Sequence, residues 1–155
     1  MKIIPYSNVS GSSGGIAVLK VENYLYTAGG DTLCVYDVSR AAKPRLLRRM
    51  SGFGFGRQLA AANGKLYLTA RNFGLWILSL EDPASPKKIG RFDSIELATG
   101  IAASGDFVFV THRIFGIEII DCSDSQRPRH CAMIRTDEAQ SACFDSGLLY
   151  VGDWG

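Results

Sequence analysis

The chain has 155 residues, of which 46% are hydrophobic and 21% charged, a balance typical of one globular unit with its own core. The formal net charge is +2, and residues of both signs are interspersed. There is no basic stripe, so we expect no nucleic-acid partner. No apolar run approaches the ~20 residues of a membrane-spanning helix, and the start MKIIPYSNVSGSSGG lacks the apolar stretch of a signal peptide. If Met1 is the true start, the sequence therefore predicts a cytoplasmic protein with no membrane span. If the chain is a fragment of a longer protein, the alternative is a cell-surface or secreted protein.

The sequence repeats with a period of about 42 residues, a length that indicates a repeat architecture. The proline of each unit recurs as Pro44, Pro86 and Pro128. An aromatic position recurs at nearly the same interval, as Tyr26, Tyr67, Phe109 and Tyr150. Because several registers agree, we interpret the period as a structural unit.

The predicted elements follow one order along the chain. Residues 1–15 are predicted to hold an outer strand and a linker, and full units follow at about 16–52, 57–94 and 99–136, with an incomplete unit at 141–155. The third unit shows the pattern best, as GIAAS, the turn SGD, FVFVTH, GIEIID, and RHCAMI after its proline. Four short strands per period are the pattern of one propeller blade, and no segment has a helical periodicity.

The third strand of each unit carries a common pattern, which reads LCVYD at 33–37, LWILS at 75–79 and IEIID at 117–121. On these segments, and on the turn SLEDPASPKKIG, the chain resembles the LVIVD-repeat family of β-propellers over roughly residues 18–151. The resemblance implies an all-β fold, a partial ring of about 3.5 four-stranded antiparallel WD40-like blades. It implies a binding scaffold with no defined chemistry, so we expect no enzyme activity. The Gly-His and Trp-Asp pairs of true WD40 repeats do not occur.

The stretch SGFGFGRQ, at residues 51–58, looks at first like a phosphate-binding glycine loop. Such a loop must lead into a helix whose N-terminal N–H groups face the anion. Here LAAANGKLYLTA follows, which reads as a strand, an Asn-Gly turn and a second strand. The stretch shares its register with FDSIELATG and IRTDEAQSA, so we predict a tight connection between blades that exposes Phe53 and Phe55.

Three blades and a fraction do not close a ring, because each blade buries its faces only against its neighbours. Residues 148–151 would then form a hydrophobic strand with an open edge. We expect further blades of a longer protein, or a second chain, to complete the ring.

The cysteines are interpreted from their register. Cys122, Cys131 and Cys143 occupy positions of apolar core residues and are predicted to be buried and reduced. Cys34 shares its register with Trp76 and Glu118, a position that is predicted to face outward. No Cys-x-x-Cys pair or Cys/His cluster predicts a metal or another cofactor.

The loops after the second strand of each blade are predicted to share one face with the connections between blades. Aromatic side chains and arginine alternate there, a composition typical of recognition surfaces. The predicted binding residues are Phe53, Phe55, Arg57, Arg71, Phe73, His112, Arg113, Phe115 and Trp154, and they are accompanied by Glu96, Asp137 and Glu138. We expect a protein or peptide partner, with carbohydrate second. Alternatively, Phe73 and Phe115 pack on their own blades.

The competing hypothesis is a glycan-cleaving enzyme with its site in the axial channel. His112 and Glu96 would carry that chemistry, whereas His130 opens an outer strand and is predicted to be solvated. Asp137 and Glu138 are neighbours in the chain, and neighbouring side chains generally point apart, so they make a poor acid-base pair.

Overall fold

A computed structural model describes residues 15–71, 73–95 and 97–155 of the chain. The outer strand predicted within residues 1–15, before Gly15, and the side chain of Glu96 lie outside the described residues. All regular secondary structure in the described ranges is β, and it forms three four-stranded antiparallel sheets and one two-stranded sheet. The prediction of an all-β, partial propeller of about 3.5 blades is confirmed.

The sheets follow one another along the chain, and each strand pairs with the next within its sheet. The first sheet holds β1 (Ala17–Val21), β2 (Tyr24–Gly29), β3 (Thr32–Asp37) and β4 (Arg45–Met50). The second holds β5 (Gly56–Ala62), β6 (Lys65–Ala70), β7 (Gly74–Ser79) and β8 (Lys87–Phe92). The third holds β9 (Ala98–Ser104), β10 (Phe107–His112), β11 (Gly116–Asp121) and β12 (Arg129–Ile134). The fourth holds β13 (Ala139–Asp145) and β14 (Leu148–Asp153).

The first strand of each sheet lies on the inside of the partial ring. β1 contacts β5, β5 contacts β9, and β9 contacts β13. The fourth strands, β4, β8 and β12, lie at the outer edge of their sheets and are largely exposed. This order places the ends of successive inner strands side by side, which positions the candidate site described below.

Apolar cores fill the spaces between successive sheets. The first core combines Tyr26, Leu33 and Val35 of the first sheet with Leu59, Leu66 and Leu68 of the second. The second core combines Tyr67, Leu75 and Ile77 of the second sheet with Val108, Val110 and Ile120 of the third. Because alternate residues of a strand point to opposite faces, a blade between two neighbours needs apolar side chains on both faces. β6, with the sequence KLYLTA, is buried on both faces for this reason.

Polar contacts also join neighbouring blades. Tyr26 Oη donates a 2.8 Å hydrogen bond to the carbonyl oxygen of Pro83, in the second blade. Lys65 Nζ donates to the carbonyl oxygen of Cys122 at 2.6 Å and to Asp106 Oδ1 at 3.0 Å, which ties the second blade to the third. These bonds fix the rotation of each blade against the next.

The two end sheets each keep an exposed apolar face. Val18 is 66% exposed, whereas Leu59 and Ile101, which hold the same register, are 8% and 9% exposed. At the other end Tyr150 is 54% exposed, whereas its register counterpart Tyr67 is fully buried. The interfaces inside the partial ring therefore show what these end faces would bury against a neighbouring blade.

A glycine at the start of β11 tests how tightly the third sheet is built. Gly116 has φ +92°, and a Cβ there would collide with the carbonyl oxygen of Ile134 in β12. Gly105, in a turn, has φ +56° but open space around it. We expect G116A to lower the free energy of unfolding by about 3 kcal/mol and G105A by about 1 kcal/mol. Urea denaturation of both variants measures the two losses, and equal losses would contradict the close approach of β11 and β12.

Candidate functional site

A cavity of about 310 Å³ opens where β5, β9 and β13 begin. Its lining consists of Arg57, Arg71, Leu97, Ala98, Thr99, Arg113, Glu138, Gln140 and Trp154. The structure thus brings together four of the nine predicted binding residues, namely Arg57, Arg71, Arg113 and Trp154.

Three of the lining residues lie in β-bulges at corresponding places in three successive blades. The ladder between the first and second strands skips Arg57 in the second blade, Thr99 in the third and Gln140 in the fourth. A bulge leaves one residue unpaired and changes the direction of its side chain. The three bulges therefore place one side chain from each blade at the cavity.

Three more lining residues follow the second strand of a blade: Arg71 follows β6, Arg113 follows β10, and Trp154 follows β14. The backbone N–H of Arg71 donates to the carbonyl oxygen of Phe55 at 3.0 Å. The N–H of Trp154 donates to the carbonyl oxygen of Glu138 at 3.1 Å, the same contact two blades later. Six of the nine lining residues therefore come from two backbone positions that are repeated over three blades.

The lining carries three guanidinium groups and one carboxylate. Arg113 Nε donates to Glu138 Oε1 at 2.8 Å, and Gln140 Nε2 donates to the same oxygen at 3.1 Å. No ion pair joins Arg57 or Arg71 to any residue that the structure describes. Two positive charges of the lining therefore have no carboxylate partner among residues 15–71, 73–95 and 97–155.

The phenylalanines of the loops lie outside the cavity lining. Phe55, Phe73 and Phe115 are exposed at 44%, 39% and 41%. The ring of Phe73 meets Trp76 edge-on, with 6.2 Å between ring centroids, and the guanidinium of Arg91 lies 5.5 Å from the centroid of Phe73. Phe73 therefore packs on its own blade, although part of its ring stays exposed.

The prediction that Phe53 is exposed is wrong. Phe53 is fully buried, and its ring meets Trp76 edge-on at 5.9 Å. Trp76 Nε1 donates to the carbonyl oxygen of Phe53 at 3.0 Å, and Lys88 Nζ lies 3.9 Å from the ring centroid. The connection at residues 51–55 turns inward because the ring of Phe53 packs against the indole of Trp76 and the ammonium group of Lys88.

The placement of His112 on the exposed face is also wrong. His112 is fully buried, and its Nε2 lies 3.1 Å from Glu118 Oε2. Glu118 lies opposite Val110 in the paired strand, so the two side chains point to the same face of the sheet. Val110 belongs to the core between the second and third blades, and Glu118 is buried there and does not face outward as predicted. His130 is half exposed, but its Nδ1 lies 3.0 Å from Glu118 Oε1, so it is not simply solvated. The two imidazoles together hold one buried carboxylate.

The glycine-rich connection holds an anion of the chain itself. The carboxylate of Asp31 accepts hydrogen bonds from the N–H groups of Gly52 at 2.8 Å and Gly54 at 2.7 Å. These hydrogen bonds, with that of Gly54 the stronger influence, lower the pKa of Asp31. Gly52, Gly54 and Phe55 all have positive φ, as a tight turn requires. The loop is a turn between blades, as its register predicts.

Sequence comparison identifies the repeats. Residues 10–51 and 97–130 match the LVIVD repeat. At these two segments the chain carries LVIVD repeats. No curated protein matches it in sequence.

Solved structures that resemble the LVIVD-repeat chain are propellers. The computationally designed Ika4 protein matches with a TM-score of 0.76 and 15% identity, covering 99% of this chain and 94% of Ika4. The designed Ika8 protein matches with a TM-score of 0.71 and 15% identity, covering 96% of this chain and 46% of Ika8. The WD40 repeats of RRP9 match with a TM-score of 0.71 and 11% identity, covering 86% of this chain and 43% of that chain. The chain thus spans less than half the length of Ika8 and of the RRP9 repeats, and the likeness concerns the fold alone.

Two further properties bear on the site. Within the part of the chain that the structure describes, no helix is long and apolar enough to cross a membrane. Among the same residues, no group of three His, Cys, Asp or Glu side chains is arranged to hold a metal ion.

Three of the four cysteines of the LVIVD-repeat chain depart from their predicted places, whereas Cys122 is buried as predicted. Cys122 is buried, and burial raises the pKa of its thiol to about 12. Cys131 is exposed, although Ile89, which holds the corresponding bulge position of β8, packs against the second core; the fourth sheet has only two strands and leaves this part of the third sheet uncovered. Cys143 is exposed on the uncovered face of the fourth sheet, and Cys34, which was expected to face outward, is buried in β3 between two paired strands. All four are free thiols.

Four lining residues escaped the sequence-based list of binding residues: Leu97, Ala98, Thr99 and Gln140. Thr99 and Gln140 hold the bulge position of Arg57 in the next two blades. Because Arg57 was a predicted binding residue, its repeat register would have indicated Thr99 and Gln140 as well. The loop residues were predicted to bind a partner because they are aromatic or arginine, whereas the residues at the bulge positions are of three different types.

The buried carboxylate in the third blade makes stability depend on pH. Burial alone would raise the pKa of Glu118, but the hydrogen bonds and charges of His112 and His130 outweigh it and hold the pKa below its usual value of 4.5. The folded chain therefore binds this proton less tightly than the unfolded chain. The stabilisation is complete above pH 4.5 and is lost as the pH falls through the lower pKa of the folded state.

We expect E118Q to lower the free energy of unfolding by about 3 kcal/mol near pH 6, because an uncharged amide replaces a buried carboxylate that is hydrogen-bonded to two imidazoles. This difference from the unsubstituted chain should shrink towards pH 3. Urea denaturation at both pH values measures it, with E81Q at an exposed glutamate as the control. A loss that is the same at both pH values would contradict an ionised Glu118.

Proposed function

We propose that the LVIVD-repeat chain is a non-enzymatic binding module that holds a protein or peptide partner on the face that contains the cavity. The observation that carries the proposal is the construction of this cavity from two backbone positions repeated over three blades. Side chains on a rigid sheet scaffold are held in place before a partner arrives, which lowers the cost of binding.

The side chains at these positions suit a protein contact. Arg71 and Arg113 are exposed, and Trp154 is 78% exposed. Tryptophan and arginine are enriched among the residues that dominate the free energy of protein binding. An exposed tryptophan beside arginines is therefore a candidate anchor for a partner side chain. The same exposed indole offers a flat apolar surface to a sugar ring, so carbohydrate is the second candidate.

A glycan-cleaving enzyme is less well supported. Such enzymes generally use two carboxyl groups on either side of the scissile bond. Glu138 is the one carboxylate among the lining residues, and Arg113 and Gln140 both bind it. His112 is buried away from the cavity, against Glu118. Hydrolysis of a glycan that is abolished by E138Q would favour the enzyme instead.

The binding proposal is tested with peptides selected by display against the immobilised chain. We expect W154A and R71A each to weaken binding of the selected peptides at least tenfold, as removal of a contact residue of this kind does. The matched controls are F107A, an exposed aromatic at the opposite end of β10, and R48A, an exposed arginine of β4. Fluorescence anisotropy measures the affinities. Equal losses in the controls, or no selected peptide at all, would contradict a binding face at the cavity.

We also propose that further blades or a second chain complete the ring against the exposed end faces. The support is the exposure of Val18 and Tyr150, whose register counterparts in interior blades are buried. Because such faces favour association, the 16.8 kDa chain should show a mass that rises with concentration. Y150S should reduce this rise, whereas F107S should not. Light scattering over a dilution series measures it, and a constant 16.8 kDa in all three would contradict the proposal.

A further inference from the structure

The two uncompensated arginines of the cavity call for a negative charge that the described part of the chain does not supply. Some other arginines have carboxylate partners: Arg45 pairs with Asp37, Arg91 with Asp93, and Arg113 with Glu138. Arg57 and Arg71 differ from other arginines without an ion pair among the described residues, such as Arg48, because both line one cavity. Arg57 is half-buried, and no described carboxylate pairs with it. An external anion would supply the missing partner.

Both arginines are fixed at their backbone. Arg57 occupies the bulge of β5, flanked by paired residues on both sides. The N–H of Arg71 is bonded to the carbonyl oxygen of Phe55, in the same connection that precedes Arg57. A planar guanidinium offers two parallel N–H donors, which match the oxygens of a carboxylate or a phosphate. Two arginines whose backbones are fixed in this way suit a ligand with two negative charges.

The third arginine differs, because Glu138 already neutralises it. Arg113 and Gln140 both donate to Glu138 Oε1, so this part of the lining carries little net charge. The attraction for an anion therefore lies with Arg57 and Arg71, and Glu138 disfavours a third negative charge. This charge distribution sets the charge of the ligand at about two.

The size of the cavity points to more than a free ion. A volume of about 310 Å³ is at the lower end of the range for small-ligand sites. Leu97 and Trp154 add apolar surface to the lining, and Leu97 is 42% exposed. A charged side chain of a peptide brings its negative charge to the guanidinium groups and its methylene groups to the apolar surface.

We propose that the cavity binds a doubly negative group on an extended peptide, supplied by two adjacent acidic side chains or by one phosphorylated serine. This inference rests on the proposed function, because it names the chemistry of the partner that the binding face selects. Carboxylate pairs and phosphoserine share the feature that matters, which is two negative charges within reach of Arg57 and Arg71.

The test is an NMR titration of the isotopically labelled chain with small probes that differ only in charge. The probes are acetyl-Asp-Glu-amide against acetyl-Asn-Gln-amide, and phosphoserine against serine. The Nε–H signals of Arg57 and Arg71 and the indole N–H of Trp154 report on the cavity. The indole N–H of Trp76, which donates to the carbonyl oxygen of Phe53, serves as the internal control.

We expect both charged probes to shift the three cavity signals, and both neutral probes to leave them unchanged. R57Q and R71Q should each weaken binding at least fivefold, and R48Q should have no effect. Retained backbone amide spectra show that the variants are folded. If only one charged probe binds, the result identifies which source of the charge the site accepts. Equal shifts from neutral and charged probes would overturn the inference.

The outcome separates this inference from the proposed function. If selected peptides depend on Trp154 but bind equally well without acidic residues and to R57Q and R71Q, the anion inference fails and the binding face stands. If the charged probes bind but no peptide does, the anion site stands and the binding module fails. If neither binds, both are wrong.

Discussion

Face-to-face packing of successive sheets is the constraint on which the rest of the structure depends. In the second blade, Tyr67 and Leu75 point to one neighbouring blade, and Leu66 and Leu68 point to the other. Both faces of an interior blade are therefore apolar and buried. Because each face must match the next blade, the sequence repeats its apolar positions at a fixed interval. The turns, bulges and connections recur with them, and the cavity is a product of that recurrence.

Repetition also fixes where variation is tolerated. The third-strand position held by Cys34, Trp76 and Glu118 is filled by a thiol, an indole and a carboxylate in successive blades. The polar atoms of the indole and of the carboxylate have hydrogen-bond partners nearby. Trp76 donates to the carbonyl oxygen of Phe53, and Glu118 is hydrogen-bonded to His112 and His130. The same backbone position can therefore hold side chains of different chemistry, provided that their buried polar atoms have hydrogen-bond partners.

The sequence was sufficient for the fold because its signals are local and repeated. Strand order, the turn at residues 51–55 and the arginines of the cavity all follow from register. Burial of single residues was harder to predict, since it depends on which sheet face a position meets. Phe53 and His112 read as exposed because they stand in or beside loops, yet a slot beside Trp76 and a carboxylate on the facing strand draw them inward. Cys131 shares its bulge position with Ile89, which packs against the core, so its register predicted burial and not the exposure that a two-stranded fourth sheet leaves.

The bulges at Arg57, Thr99 and Gln140 separate the architecture of the chain from its recognition chemistry. A bulged residue takes no part in the ladder between paired strands, so its side chain can take on other contacts. Thr99 uses this freedom for structure, since its Oγ1 donates to the carbonyl oxygen of Ala139 at 2.8 Å and joins the third sheet to the fourth. The same backbone position already accommodates a cation, a hydroxyl and an amide within one molecule. The positions of Arg57 and Gln140, which do not join two sheets in this way, are natural sites for combinatorial libraries aimed at new ligands.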